Sequence, residues 1–134
     1  MADAVTSTIT FESKSELEYV FTNISDGTGE SAVLKVDVSA LTPACDEVDL
    51  LEVESVTDGM AVRFLWDADT DTVAALLPAN QHVLIDFRKS ARGALRNNSS
   101  TGKTGDVKLT TVGHTLGDTY WIRARFRKLT TAEL

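Results

Sequence analysis

The 134-residue chain has one cysteine, two prolines and two histidines. With only Cys45, no internal disulfide can form, so stability has to come from packing or from association with other chains. A cysteine nucleophile needs a neighbouring base, and neither His82 nor His114 stands in a recognisable arrangement with it. No Ser-His-Asp order, carboxylate pair or glycine-rich phosphate cradle can be assembled from the remaining residues. The sequence therefore predicts a protein that is not an enzyme and carries no cofactor. Nothing approaches the roughly 18 consecutive apolar residues of a membrane span. The start, "MADAVTSTIT", has neither the basic region nor the apolar run of a signal peptide. Neither classical export nor membrane insertion is expected. What is present, 43% hydrophobic and 25% charged residues, is an ordinary globular composition at the length of one domain.

The apolar period is two almost everywhere. "VTSTITF" puts Val5, Ile9 and Phe11 on one face, and "LEYVFTNI" does the same with Leu17, Tyr19 and Phe21. Both read as half-buried strands. "AVLKVDV" alternates Leu34, Val36 and Val38 with Lys35 and Asp37. "VDLLEVESV" and "MAVRFLW" flank "TDG", a hairpin signal, with Met60, Val62, Phe64 and Trp66 sharing a face. "VAALL" stops at Pro78 and "HVLIDF" follows. "DVKLTTV" and "TYWIRARFR" close the chain across "GHTLGD" as a last hairpin, with Tyr120, Ile122, Ala124 and Phe126 on one side and Trp121 and three arginines on the other. Eight or nine short strands without a substantial helix predict an all-β fold, an antiparallel β-sandwich of which the jelly roll is one form.

One segment breaks the rhythm. Residues 88–106 carry Arg88, Lys89, Arg92, Arg96 and Lys103, with three glycines and two asparagines, and have no strand periodicity. Loops of that length in a compact domain are usually functional or disordered, so this one reads either as a docking arm or as a solvated excursion. It also contains "GKT", the end of a nucleotide-binding P-loop. Counting back from Gly102, however, puts Asn97 where the first glycine is needed, and a strand pattern follows where a helix should begin. A structural turn is the expectation.

Charge is distributed unevenly along the chain. Residues 1–87 hold three basic against 17 acidic residues, −14, while residues 88–134 hold ten basic and three acidic, +7, which gives the net −7. Opposite signs can interleave on one folded surface, or serve complementarity with a partner or a second copy. Nucleic acid is not expected as a partner, because the whole chain is acidic and aromatic-basic interleaving is confined to "TYWIRARFRK". "DADTD" places Asp67, Asp69 and Asp71 as a calcium loop would, yet Thr72 and Pro78 stand where that loop needs glycine and glutamate. A turn explains the run, and no metal site is predicted.

The stretches "FTNISDGTGE", "FLWDADTDTVAALLP" and "LRNNSSTGKTGDVKLTTVGHTLGDTYWI" resemble a group of small structural proteins of tailed bacteriophages, the kind that decorate or cement the capsid. The similarity spans about residues 20 to 127. It implies a non-enzymatic virion protein on the capsid surface, assembled in the host cytoplasm, with a major capsid protein or another virion protein as partner and with homo-oligomer formation. A neck, tail or head-fibre component is the neighbouring possibility. A carbohydrate-binding jelly-roll module is the alternative class, with Trp66 and Trp121 as its candidate aromatics; Trp66, on the apolar side, is expected in the core. The candidate interface residues are Arg88, Lys89, Arg92, Arg96, Lys103, Trp121, Arg123 and Arg125.

Overall fold

A computed structural model describes residues 3–89, 93–99 and 101–130. Among the described residues nine strands run in chain order: β1 (Ala4–Glu12), β2 (Glu16–Ile24), β3 (Val33–Val36), β4 (Glu47–Asp58), β5 (Ala61–Trp66), β6 (Thr72–Leu77), β7 (His82–Asp86), β8 (Val107–Val112) and β9 (Thr119–Leu129). They form a five-stranded sheet, β1-β2-β9-β4-β7, and a four-stranded sheet, β3-β8-β5-β6. All pairs are antiparallel. β2 pairs with β9, β3 with β8, β4 with β7 and β5 with β6. Such nesting is a single long hairpin, with its tip between β5 and β6, rolled up so that successive segments fall alternately into two sheets. That is the jelly roll, and β1 extends it by one strand at the edge.

This wrapping corrects two expected hairpins. β4 and β5 lie in different sheets, as do β8 and β9. Gly59, at φ +88, turns the chain across the sandwich instead of back along the same sheet, and its N–H donates to Asn80 Oδ1 at 2.8 Å. The period of two reports which side chains face the core, but it is silent on which strand lies alongside.

The core faces follow the alternation. Met60, just before β5, and Val62, Phe64 and Trp66 of β5 meet Tyr120, Ile122, Ala124 and Phe126 from β9, together with Leu17 and Phe21 from β2, all buried. Trp66 is therefore a core residue. Two strands depart from the expected pattern, each at a register shift. In β3 the shift lies between Leu34 and Val36, leaving Leu34 exposed and Lys35 buried. In β1 it lies between Ile9 and Phe11. Ile9 pairs with Tyr19 on the inner face, whereas Phe11 pairs with Glu18 on the outer face. Val5, Ile9 and Phe11 thus do not share a face, and at 44%, 42% and 43% exposure they are not half-buried. A bulge inserts one extra residue and so swaps the sides of everything beyond it.

A buried polar cluster closes one end of the sandwich. Glu30 accepts from Tyr120 OH at 2.5 Å and from Asn23 Nδ2 at 2.8 Å, and Lys35 Nζ lies 2.6 Å from its other oxygen. Next to it the Asp3 carboxylate accepts from Asn23, from the backbone N–H of Asp26 and Gly29, and from the Thr28 hydroxyl. Asp3 in this way organises the turn written "SDGTGE". Burial pushes the Asp3 carboxyl up, but the hydrogen bonds from Asn23 and the turn outweigh it and hold the pKa at about 2 against 3.8 in an unstructured chain. The depressed value means that the anion stabilises the fold fully above pH 4, and that this contribution is lost as pH falls towards 2, an amount of about 2 kcal/mol. Urea unfolding of wild type and Asp3→Asn at pH 6 and at pH 2.5 checks this. The stability difference between the two proteins is expected to shrink sharply at the lower pH, and an unchanged difference would refute the assignment.

Candidate interaction face

The outer face of the five-stranded sheet collects most of the residues singled out in the sequence. Its middle strand, β9, presents Trp121, Arg123, Arg125 and Arg127 outward, because Tyr120, Ile122, Ala124 and Phe126 take the inner positions. On one side β2 offers Glu16, Glu18, Val20, Thr22 and Ile24; on the other β4 offers Asp49, Glu52, Glu54 and Val56. The register sets Arg125 between Glu18 and Glu52, Arg123 between Val20 and Glu54, and Trp121 between Thr22 and Val56.

Each of the three arginines pairs with a carboxylate of the same chain. Arg123 reaches Glu18 at 2.9 Å, Glu52 at 2.6 Å and Glu54 at 3.3 Å. Arg125 pairs with Glu16 at 2.8 Å and its guanidinium carbon lies 4.6 Å from the Phe11 ring centroid, a cation-π contact on the same outer face. Arg127 reaches Asp49 at 3.0 Å. The hydrogen bond to Glu18 is the largest influence raising the Arg123 pKa, with Glu52 and Glu54 adding to it against desolvation. Burial pushes Glu18 up, but the Arg123 guanidinium holds it below the ordinary carboxylate range. Glu54 is lowered first by its bond to His82, then by Arg123. Arg123→Ala would leave three carboxylates facing one another around a void. It is expected to cost about 2 kcal/mol, since charged hydrogen bonds in a partly buried network are lost. A melting-temperature drop that persists in 0.5 M salt checks it, whereas a loss that vanishes in salt would mean the cluster acts only as a screened surface network.

The basic segment is tied to the acidic body as well. Arg88 pairs with Glu52 at 2.8 Å and Asp86 at 3.2 Å, so it shares Glu52 with Arg123. Leu95 exchanges both backbone hydrogen bonds with Leu50, and the Asn97 N–H donates to Asp49. This straps the segment along the first part of β4, beyond the reach of β7. Arg96 lies 3.9 Å from Asp49, and Lys103 pairs with Glu47 at 2.8 Å. Lys89 is exposed at the end of a single helical turn, Phe87–Lys89, and Arg92 falls outside the described residues. A freely projecting arm is thus not what residues 93–99 form. Apart from the pairs Lys35–Glu30 and His82–Glu54, the ion pairs among the described residues join a base from after residue 87 to an acid from before it. Charge asymmetry along the chain is cancelled in space because β9 is threaded between β2 and β4.

The two remaining sequence features, "DADTD" and "GKTGD", pack against each other. Lys108 lies 2.8 Å from Asp67 and 3.4 Å from Asp71, and Thr104 Oγ1 donates to Asp67. Gly102, at φ +78, packs so closely on Asp69 that a side chain there would collide with its carboxylate. "GKTGD" therefore forms a turn that docks on "DADTD" and leads into β8, and Lys103 is held by Glu47.

Sequence reasoning missed an apolar patch. Around Trp121, 38% exposed, lie Val56 directly across and Ile24 and Val20 on the diagonals, and Leu84 continues the patch one strand further out, diagonal to Val56; Ile24, Val56 and Leu84 are themselves exposed. Trp121, Val56 and Leu84 are each the lone apolar residue at an outward position of its own strand, and β2 adds only Val20 and Ile24 among polar neighbours, so no strand reveals the patch by itself. The register assembles it.

No protein-family model and no curated protein matches the chain. Among solved structures it is similar to a carbohydrate binding module of family 29, at TM-score 0.40 and 9% identity over 98% of this chain and 81% of that one. Point mutants of such modules give the same picture, one at TM-score 0.40 and 10% identity over 98% and 84%, another at 0.39 and 9% over 96% and 81%. Nothing about the site is carried over from likenesses this distant.

Proposed function

We propose that this chain is a non-enzymatic structural protein that works by association, a virion component that docks on a larger assembly such as a phage head. The observation that carries the docking surface is the Trp121 patch. An exposed tryptophan with aliphatic neighbours sits at one end of a face whose charges are already paired internally. Such a face presents an apolar anchor without unpaired charges to desolvate. The resemblance of "FLWDADTDTVAALLP" and of the segment running into β9 to phage structural proteins supports the virion setting, and a major capsid protein is the partner that setting implies. Charged residues outside the patch, Arg88 and Lys89 among them, would tune encounter and register more than affinity.

A second reading, a carbohydrate-binding jelly-roll module, is favoured by the same indole. An exposed ring on a sheet face, beside Thr22 and Arg123 and with His82 beyond Val56, has the form of a sugar-stacking platform with polar neighbours. The deciding experiment incubates the purified protein with undecorated phage particles and, in parallel, with a panel of soluble glycans. Co-sedimentation with particles and no glycan binding supports the virion reading. Glycan binding without particle binding overturns it and leaves the carbohydrate reading standing.

A further inference from the structure

We infer that two copies of this chain join through their β1 strands, adding edge to edge to make one continuous ten-stranded sheet about a two-fold axis at Ser7. The inference does not rest on the virion reading. Dimer formation is measured on the purified chain and docking on particles, so either can fail alone.

Sheet edges carry unpaired backbone N–H and C=O groups, and natural proteins guard them with short strands, charges, prolines or bulges. The other three edges follow that rule. β3 has four residues and contains Lys35; β7 has five and is bounded by His82 and Asp86; β6 has six, starts beside Asp71 and stops at Pro78. β1 is different. It is the longest edge at nine residues, its first eight positions are exposed, and residues 4–11 contain no charge and no proline. Its bulge falls between Ile9 and Phe11, which leaves Ala4–Ile9 as regular extended backbone.

The occupant follows from charge and pattern. At net −7, two copies repel over most of their surface, and β1 is an edge where nothing charged would face its own image. Val5 and Ile9 point to the inner face yet stay exposed, at 44% and 42%. Antiparallel pairing about Ser7 sets Val5 of each copy against Ile9 of the other, with Ser7 facing Ser7 and Thr6 facing Thr8. Shifting the register by two residues either way would pair each of these apolar side chains with a polar one or misplace it at the bulge. Only the Ser7-centred register buries both apolar side chains against apolar side chains.

The test uses the full chain with Cys45→Ala as background. Opposed residues in antiparallel strands lie ~5 Å apart, while the two copies of Val5 would be ~14 Å apart. Ser7→Cys is therefore expected to give a covalent dimer with a bismaleimide too short to span ~14 Å, and Val5→Cys is not. Sedimentation velocity of the wild-type chain should show a concentration-dependent dimer. Ser7→Lys combined with Ile9→Lys, both at exposed positions, should weaken it by roughly tenfold or more while leaving the thermal unfolding midpoint nearly unchanged. A wild-type chain that stays monomeric at all concentrations overturns the inference. So does cross-linking of Val5→Cys as efficient as that of Ser7→Cys.

Discussion

Glu30→Ala is expected to cost about 3–5 kcal/mol, a fall in melting temperature of roughly 10 °C or more for a domain of this size. The reason is what it leaves behind. Lys35, buried with Glu30 at 2.6 Å, would hold an ammonium ion with no counter-charge, and the Tyr120 hydroxyl and the Asn23 amide would lose the acceptor they share. Burial and its bond to Glu30 push the Tyr120 hydroxyl up, so in the wild-type chain it is the neutral donor of that bond. Replacing the pair together, Glu30→Leu with Lys35→Met, should recover the part of the loss that comes from the stranded charge, because an apolar pair of similar volume needs no desolvated ion, while the Tyr120 and Asn23 donors stay without their acceptor. Thermal melts of the three variants decide the point. A single-variant cost below 1 kcal/mol, or a double variant no better than the single one, would mean the pair is not buried as described. Tyr120→Phe should be milder, about 1–3 kcal/mol, since it removes a donor without stranding a charge.

Trp121→Ala should weaken association with the assembly partner by about thirtyfold or more at every salt concentration, and change the stability of the free chain by less than about 1 kcal/mol. Tryptophans that fill the middle of an interface commonly contribute 2 kcal/mol or more, and this one is already 38% exposed in the free chain, so its removal opens no cavity in the core. Val56→Ser, directly across the strand pair, should act in the same direction and less strongly. Substituting Arg88 and Lys89 with serine gives the contrast. Their effect should be confined to low ionic strength, because exposed charges act through screened attraction. Quantitative binding to undecorated particles at 50 and 500 mM salt separates the two behaviours. Equal salt dependence for the tryptophan and the charge variants would place the contact in the charges and refute the apolar anchor. Retention of full binding by Trp121→Ala would refute the proposed face altogether.

The sequence by itself determined the class of fold and the inward side of most strands. Alternation in "MAVRFLW" and "TYWIRARFR" states which side chains must leave water, and burial of those side chains is a local requirement that any β-sheet partner satisfies. It also determined that "GKTGD" is a turn, because Asn97 and the strand pattern after it are readable in one dimension. Pairing was left to the tertiary structure. Gly59 and the turn before β9 carry the residues of hairpins, yet both send the chain to the opposite sheet, since the jelly roll buries two apolar faces against each other where a flat meander would leave one exposed. Register was decided there too. One inserted residue near Ile9 moved Phe11 to the outer face, under Arg125, and one near Leu34 turned Lys35 inward to Glu30. The candidate site belongs to this second category. Trp121, Val56, Ile24 and Leu84 come from four strands separated by up to about a hundred residues, and Arg88, Arg123 and Glu52 meet only because β4 lies between β9 and β7. Cross-strand neighbours are fixed by non-local hydrogen bonding between backbones, which carries no mark in the composition of any single strand.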